Sequence, residues 1–249
     1  MLELNKIHLG DSYKLIKEIP DKSIDCIYTD VPYLLQQGGN RAEKKSSIAK
    51  RIVKSYNKLD DANMVSGFKY EILDDFIRIS KKINIFLWVS KAQMLPIMTF
   101  FDKYKCNFQL MFWGKTNPSP MCNGNWLPDV EYLLYFSKGV KLNDGYEIKS
   151  KFYVSIANKS DASTYDHPSI KPLELVTRHL LHTTQPNDIV LDCFSGSGTT
   201  CVAAKELGRR FIGIEIDPTY HKISVDRLNG ITANGQTSIF TNFETLKEK

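Results

Sequence analysis

The chain has 249 residues, of which 42% are hydrophobic and 24% charged, and it carries a net charge of +5. This composition excludes a disordered chain, because it supplies enough apolar side chain for a core of domain size. Its longest apolar runs fall far short of the roughly 20 residues of a membrane-spanning helix, and the amino-terminal residues do not form a secretory signal. Five cysteines without a CxxC pair argue against a disulfide framework and a structural zinc site. Reduced thiols, no metal and a cytoplasmic location are therefore expected.

The positive charge is concentrated in one segment. Residues 36–59 contain seven basic side chains and one acidic side chain, Glu43, whereas basic and acidic residues nearly balance elsewhere. A segment of this kind attracts polyanions, so a phosphate backbone is a candidate partner. A solvated, lysine-rich loop explains the segment equally well. The candidate nucleic-acid contacts are Arg41, Lys44, Lys45, Lys50, Arg51 and Lys54.

Hydrophobic periodicity predicts alternating strands and helices. Short, continuous apolar segments predict strands that are buried on both faces, at 24–29, 83–89, 189–191 and 211–216. Periodic segments predict helices at about 12–19, 70–82, 91–104, 172–183, 199–207 and 220–228, with Pro172 in a first turn and Asp217 as a cap. This alternation indicates a parallel α/β sheet.

Three further segments interrupt this pattern. Residues 108–113 and 131–136 predict an antiparallel pair of strands on either side of a loop rich in Pro, Asn and Gly. Residues 34–66 and 140–166 show little apolar periodicity. Both are therefore predicted to be mobile surface insertions.

A glycine-rich turn follows the predicted strand at 189–191. Residues 192–200 read DCFSGSGTT, which places glycines and backbone N–H groups at a strand-to-helix turn, where α/β sheets bind ligands. A dinucleotide-binding fingerprint would need a third glycine or alanine at Cys201, so hydride transfer fits less well. Glu215 ends the next strand, about 20 residues on, where a carboxylate can bind ribose hydroxyls. The combination indicates a nucleoside-containing cofactor, with a tight turn and a surface glutamate as the alternative.

A second polar turn, Asp30-Val31-Pro32-Tyr33, directly follows the first predicted strand. Its carboxylate and backbone carbonyls can accept the N–H bonds of an exocyclic amino group, and its aromatic ring offers a face on which a planar base stacks. An isolated turn of this composition is more often structural. The two turns lie at the same edge of the predicted sheet, because both follow parallel strands.

Together these motifs resemble the S-adenosylmethionine-dependent amino-methyltransferases of DNA, in the permuted β group whose DPPY element precedes the FxGxG element. The matching elements are Gly10-Asp11, Asp30 to Tyr33, HPSIKP at 167–172, the turn at 192–200, and Gly213 to Asp217. The resemblance implies a Rossmann-like α/β fold, with a mixed, mostly parallel sheet flanked by helices and a circularly permuted motif order. It also implies one catalytic domain over 1–249, with candidate DNA-contacting insertions at about 34–66 and 114–166.

The same resemblance implies roles for individual residues. The target base would be held by Asp30, Val31, Pro32 and Tyr33, the catalytic set. The methionine part of the cofactor would be held by Lys171 and the glycine-rich turn, its ribose by Glu215 and its adenine by Asp11. The cofactor-binding candidates are Asp11, Lys171, Asp192, Phe194, Ser195, Gly196, Ser197, Gly198, Thr199 and Glu215.

The family usually has proline where this chain has Val31. Pro32 and β-branching both favour extended backbone at residue 31, so activity is expected. Within the family aspartate at position 30 favours adenine and serine favours cytosine, which implies methylation of adenine N6 after the base is flipped out of the duplex. Cytosine-N4 methylation and a non-catalytic nucleic-acid-binding subunit are the alternatives. DNA is the expected partner; a solitary or restriction-modification role, a cognate endonuclease and a homodimer are left open.

Overall fold

A computed structural model describes residues 2–34, 67–118, 126–143, 149–156 and 170–232. These residues form eight strands: β1 Lys6–Leu9, β2 Cys26–Asp30, β3 Ile83–Val89, β4 Asn107–Lys115, β5 Val130–Lys138, β6 Phe152–Ser155, β7 Ile189–Asp192 and β8 Arg210–Glu215. They pair in one sheet in the order β1-β8-β7-β2-β3-β5-β4-β6. Strands β1, β8, β7, β2 and β3 run parallel to one another. The predicted mixed, mostly parallel sheet is confirmed.

The remaining strands extend the sheet beyond β3. Strand β5 runs antiparallel to both β3 and β4, and β6 pairs parallel with β4 at the outer edge. The predicted antiparallel pair is confirmed as β4 and β5, in which Leu110 lies opposite Leu134. Because β5 is antiparallel to β3, its first residues lie beside the end of β3, where Tyr132 faces Val89. Side chains at the start of β5 therefore reach the edge at which the parallel strands end.

The described residues also form six helices between and after the strands: α1 Ser12–Leu15, α2 Ile72–Ile79, α3 Lys91–Asp102, α4 Leu173–Thr183, α5 Thr199–Glu206 and α6 Pro218–Leu228. The Asp217 carboxylate accepts from the backbone N–H groups of Thr219 and Tyr220, which confirms the predicted cap. Pro172 precedes α4 as its N-cap, with an extended ψ of 123°, instead of lying in the first turn. A proline φ fits both positions, so the sequence could not separate them.

Alternate residues of the central strands pack into two apolar clusters, one on each face of the sheet. In β3, Ile85 and Leu87 belong to one cluster, and Phe86 and Trp88 to the other. Each of these side chains is 1% exposed or less. Burial on both faces explains why the central strands read as continuous apolar runs.

Two strands were not predicted, β1 and β6. Strand β6 lies within 140–166, so the prediction of a surface insertion is wrong there. Its residues pair with β4, and the Trp113 indole N–H donates to the Ser155 hydroxyl at 2.9 Å. A four-residue edge strand needs no continuous apolar pattern, because only one face and one neighbour hold it. The interval 114–166 likewise contains all of β5, and its contact with DNA stays a prediction.

Other features of the described ranges concern the cysteines, metals and membranes. Cys26, Cys106, Cys193 and Cys201 are free thiols. Among the described residues, His, Cys, Asp and Glu side chains do not cluster in threes or more in a way that could hold a metal ion. In that part of the chain, helices of the length and apolarity needed to cross a membrane are also absent.

Candidate active site

The glycine-rich turn connects β7 to α5 at the edge where the parallel strands end. Gly196 and Gly198 have φ of 49° and 78°, a region that residues with a side chain rarely adopt. The Gly198 N–H donates to the Ser195 carbonyl at 2.7 Å, and the Ser195 N–H donates to the Ile214 carbonyl of β8 at 2.9 Å. The turn is therefore folded on itself and fixed to the neighbouring strand.

A buried arginine supports the turn from below. Arg227 of α6 is 2% exposed, and its Nη1 donates to the Thr199 hydroxyl at 2.8 Å and to the Ser197 hydroxyl at 3.2 Å. The sequence did not point to this residue, because an arginine 28 positions after Thr199 carries no local signal. These hydrogen bonds fix the Ser197 and Thr199 side chains of the glycine-rich turn.

Glu215 and Asp11 lie at the ends of neighbouring strands. Glu215 is 8% exposed, and it accepts from the Gly196 N–H at 2.7 Å and from the Asp217 N–H at 2.8 Å. The Gly10 N–H donates to the Glu215 carbonyl at 2.8 Å, which brings Asp11 to the same edge. The Asp11 carboxylate accepts from the Tyr13 N–H as the cap of α1. Carboxylate oxygens have further lone pairs, so both residues keep acceptor capacity for a ligand.

The Asp30 to Tyr33 turn is anchored through its carbonyls. Gln93 of α3, which is 0% exposed, donates from Nε2 to the Pro32 carbonyl at 2.8 Å. The Ser90 hydroxyl donates to the Leu34 carbonyl at 3.0 Å. Val31 is 1% exposed and packs in the apolar core. A buried apolar side chain thus replaces the usual proline at this position without opening the turn.

The two turns meet in one crevice. The Thr29 hydroxyl, directly before Asp30, donates to the Asp192 carboxylate at 2.7 Å and accepts from the Phe194 N–H at 3.2 Å. The crevice is lined by Tyr28, Asp30, Trp88, Lys171, Val176, Asp192, Phe194, Ser195, Gly196, Ser197, Thr199 and Thr200. Burial raises the pKa of Asp192 to about 7, although the hydroxyls of Thr29 and Thr200 and the Phe194 N–H lower it.

Two carboxylates and two ammonium groups form a charged cluster beside this crevice. Lys171 Nζ lies 2.5 Å from Asp30 Oδ2 and 3.1 Å from Glu131 Oε2, and Lys115 pairs with Glu131 Oε1. Burial raises the pKa of Asp30, and Lys171 partly offsets that rise. Burial would also raise the pKa of Glu131, but Lys171 and Lys115 together lower it to about 2. Glu131 is therefore ionised across the physiological pH range.

The structure brings most of the predicted site residues to one edge. Asp30 to Tyr33, the glycine-rich turn, Glu215, Asp11 and Lys171 all lie there, but Lys171 contacts Asp30 and Glu131 instead of the glycine-rich turn. The predicted DNA contacts Arg41, Lys44, Lys45, Lys50, Arg51 and Lys54 lie outside the described residues.

Besides Arg227, the sequence did not point to three further residues of the site: Glu131, Lys115 and Gln93. Gln93 had a signal, because Ser90 and Gln93 have the spacing of a capping box before the apolar helix. Glu131 is the second residue of β5 and directly precedes the hydrophobic run from Tyr132 to Phe136, which is a weaker sign of function. Their importance follows from their contacts and could not be assigned from their spacing.

The residues of the crevice fit an adenosyl cofactor with a charged tail. The Ser195 hydroxyl and Asp30 Oδ1 are buried and lack a hydrogen-bond partner among the described residues. A buried polar atom without a partner is costly, so both indicate a ligand that supplies one. The left-handed glycines keep side chains away from the turn, and Glu215 lies where a ribose would be held. Fold and site therefore agree with the class that the sequence resembles, a methyltransferase that acts on an amino group.

Comparison with known proteins agrees with this class. The model of the DNA methylase family of N6- and N4-methyltransferases matches residues 24–226, and the chain belongs to that family. It is 34% identical over 242 residues to the Type II methyltransferase M2.LlaDCHI of Lactococcus lactis subsp. cremoris, covering 88% of this chain and 87% of the relative. It is 31% identical to M2.DpnII of Streptococcus pneumoniae, with the same coverage of each chain.

Solved structures share the fold. The crystal structure of M1.HpyAVI superposes with a TM-score of 0.63 and 24% identity, covering 90% of this chain and 98% of that one. The PvuII cytosine-N4-specific DNA methyltransferase superposes with a TM-score of 0.66 and 18% identity, covering 89% and 85%. At these identities the likeness establishes the predicted Rossmann-like architecture, and it does not distinguish adenine from cytosine as the target.

Proposed function

We propose that the protein transfers a methyl group from S-adenosylmethionine to the N6 amino group of adenine at specific sites in DNA. One observation carries this proposal: Asp30, whose buried Oδ1 lacks a partner among the described residues, lines the same crevice as the glycine-rich turn. An amino group needs such an acceptor, and methyl transfer needs acceptor and donor within one site.

The cofactor supplies an electrophilic methyl group carried on a sulfonium. Its methionine part would be bound by the turn from Phe194 to Thr199, its ribose by Glu215 and its adenine by Asp11. Asp192 acts beneath the turn, because its carboxylate accepts from the Phe194 N–H at 3.2 Å and fixes where the turn begins. The assignment of Lys171 to the methionine part stays a prediction.

The target base would be held on the Asp30 to Tyr33 turn. A base in a duplex must first be extruded, at a cost of a few kcal/mol, and stacking on the Tyr33 ring would offset part of it. The Asp30 carboxylate and the Val31 carbonyl would accept the two N–H bonds and stabilise the positive charge that the nitrogen gains on methylation. The nitrogen–methyl bond would form as the sulfur–methyl bond breaks, so that the sulfonium becomes a thioether and the methylated nitrogen then releases a proton to solvent. The role proposed for Asp30 is electrostatic orientation, with a direct general-base role as the alternative, and a covalent enzyme intermediate is not required.

Adenine is the proposed target because position 30 is aspartate. In the family that this chain resembles, serine at that position accompanies cytosine as the target base. Cytosine-N4 methylation is therefore the alternative on the same scaffold. A non-catalytic DNA-binding subunit would not need an intact base site. Val31 supports activity, because its burial and the Gln93 bond to the Pro32 carbonyl keep the turn in place without a second proline.

DNA would be bound by the loops around the crevice and by the basic segment at 41–54. The relatives are named Type II methyltransferases, so we propose a role in restriction-modification, with a solitary enzyme as the alternative. A cognate endonuclease, a homodimer and a cytoplasmic location stay predictions.

The test is incubation of the protein with methyl-labelled cofactor and DNA, followed by digestion and nucleoside analysis. Label in N6-methyladenine is expected; label in N4-methylcytosine would support the alternative target, and DNA binding without transfer would support the non-catalytic subunit. Asp30→Ala should lower transfer by about 100-fold or more while cofactor affinity stays within a few fold. Asp74→Ala, which removes an exposed carboxylate of α2, is the matched control and should transfer normally.

A further inference from the structure

Glu131 contacts both residues that border the target-base site. Its Oε2 lies 3.1 Å from Lys171 Nζ and accepts from the Tyr33 hydroxyl at 3.4 Å, and its Oε1 pairs with Lys115. The Glu131 side chain is 15% exposed and that of Lys171 is 6% exposed. Neither group can exchange these partners freely for water. The Glu131 carboxylate thus connects β5 to the Tyr33 hydroxyl and to the Lys171 ammonium.

The two oxygens of Asp30 have different surroundings. Oδ2 is 2.5 Å from Lys171 Nζ, whereas Oδ1 is buried and lacks a partner among the described residues. The Tyr33 hydroxyl lowers the pKa of Asp30 by hydrogen bonding to its carboxyl group. An ammonium placed midway between two carboxylate oxygens would bind both of them. Here the ammonium lies toward Oδ2, where Glu131 supplies a second negative charge.

The surroundings of Lys171 restrict its movement. Its Nζ lies 5.4 Å from the centroid of the Tyr33 ring and 5.2 Å from that of Trp88, within the range of favourable contact between a cation and an aromatic face. Burial opposes its charge, but Asp30 and Glu131 more than offset this, and its pKa is raised. The Lys171 ammonium is therefore charged at physiological pH. It pairs with two carboxylates and lies near two aromatic rings.

We propose that Glu131 is a positioning residue for methyl transfer: it holds the Lys171 ammonium against Oδ2 of Asp30, so that Oδ1 stays free for the amino group of the target base. This inference rests on the proposed function, because it assigns Oδ1 to that amino group. Lys115 completes the arrangement by neutralising the far oxygen of Glu131. Without Glu131 the ammonium can move to bridge both oxygens of Asp30 and compete with the base.

The first test is Glu131→Gln, assayed under single turnover with saturating cofactor and DNA. We expect the transfer rate to fall by at least about tenfold at temperatures where the variant is folded, while cofactor affinity changes little. The unfolding temperature should fall, because the buried Lys171 ammonium loses one of its two carboxylate partners. Glu131→Asp keeps the charge but is shorter by one methylene, so it should also lose rate. Glu174→Gln is the matched control, because it alters an exposed glutamate of α4 that accepts from the Tyr153 hydroxyl at 2.8 Å.

The second test separates the positioning of the Lys171 ammonium against Asp30 from a change in the ionisation of Asp30. The groups that influence Asp30 are Lys171, Glu131, Tyr33, Tyr28 and Asp192. Lys171→Met removes the cation that opposes the raised pKa of Asp30, so the acid limb of the pH–rate profile should move to higher pH. Glu131→Gln removes a negative charge that raises the pKa of Asp30, so its acid limb should move to lower pH, the opposite direction, while its plateau falls.

A double-mutant cycle shows whether Glu131 acts through Lys171. In the Lys171→Met background, Glu131→Gln should change the transfer rate by less than about twofold. Full additivity would overturn the proposal, and so would a wild-type rate in both Glu131→Gln and Glu131→Asp. If Glu131→Gln does not fold, Glu131→Asp alone decides. Failure of the wild-type protein to methylate DNA would instead overturn the proposed function, so the two failures are distinguishable.

Discussion

Thr29 and Asp192 join the two halves of the site. The hydroxyl of Thr29, at the end of β2, donates to the carboxylate of Asp192, at the end of β7, at 2.7 Å, and both side chains are buried. The strands that carry the two polar turns are adjacent and parallel, so this bond fixes the distance between the base-binding turn and the cofactor-binding turn. The same hydroxyl also accepts from the Phe194 N–H. A change at either residue should therefore affect both turns.

Asp192 should make the stability of the protein depend on pH. Its pKa is raised by burial from 3.8 to about 7, so between these values the folded state keeps a proton that the unfolded state has released. The free energy of unfolding should therefore fall as pH rises through this window. Asp192→Asn removes the titrating group, so its stability relative to wild type should increase as pH rises from 3.8 to about 7. Urea unfolding at several pH values measures this, and parallel curves for the two proteins would contradict it.

Gln93 should control the rate of transfer through the Pro32 carbonyl. Gln93→Leu removes the donor to that carbonyl and the acceptor of the Ser90 N–H, and it should lower stability by about 1–3 kcal/mol. Because the freed turn carries Asp30, the single-turnover rate should also fall at temperatures where the variant is folded, with cofactor affinity nearly unchanged.

The control for Gln93 is Thr99→Ala, on the same helix. Its hydroxyl donates along α3, to the Leu95 carbonyl at 2.9 Å, so transfer should proceed normally. Equal rates in Gln93→Leu and Thr99→Ala would show that the turn does not need this anchor.

Gly213 should tolerate a side chain less well than Gly208. A Cβ at Gly213 would lie 2.8 Å from Cys201 Sγ and 2.8 Å from Ile7 Cγ1, so Gly213→Ala forces β8 away from α5 and should cost about 1–3 kcal/mol. Gly208 has φ of +70° and open space around its Cα, so Gly208→Ala should cost only the backbone strain, about 1 kcal/mol. Unfolding in denaturant should rank the variants in this order. The reverse order would mean that β8 and α5 separate without cost.

The basic segment should account for most of the salt dependence of DNA binding. Neutralising Lys44, Lys45, Lys50 and Arg51 should reduce the slope of log affinity against log salt by about one for each DNA phosphate that these side chains neutralise in the wild type. Neutralising four exposed lysines near the amino ends of β2, β3 and β4, at the opposite edge, should leave the slope unchanged; these are Lys22, Lys82, Lys103 and Lys105. Equal slopes for wild type and the first variant would indicate a solvated loop.

The sequence predicted the central strands because their signal is local. Each is a continuous apolar run, since both of its faces are buried, and Ile83–Val89 has the predicted bounds. Strand β1 reads KIHL and has only two apolar residues, and the short apolar run of β6, FYVS, lies in a stretch with little other apolar periodicity. Helix α1 is shorter than predicted and continues as a 3-10 turn over Ile16–Glu18, a tightening that apolar periodicity does not distinguish from a helix.

The sequence by itself determined the order of the motifs, the alternation of strands and helices, and the chemistry of the two turns, because these depend on residues close together along the chain. Only the tertiary structure decided that Glu131 lies beside Asp30. This arrangement, in which both carboxylates pair with Lys171, requires β5 to lie antiparallel next to β3, so that a residue 101 positions further on reaches the same edge. It also decided the partners of Lys171, since a buried ammonium pairs with whichever carboxylates the fold places around it.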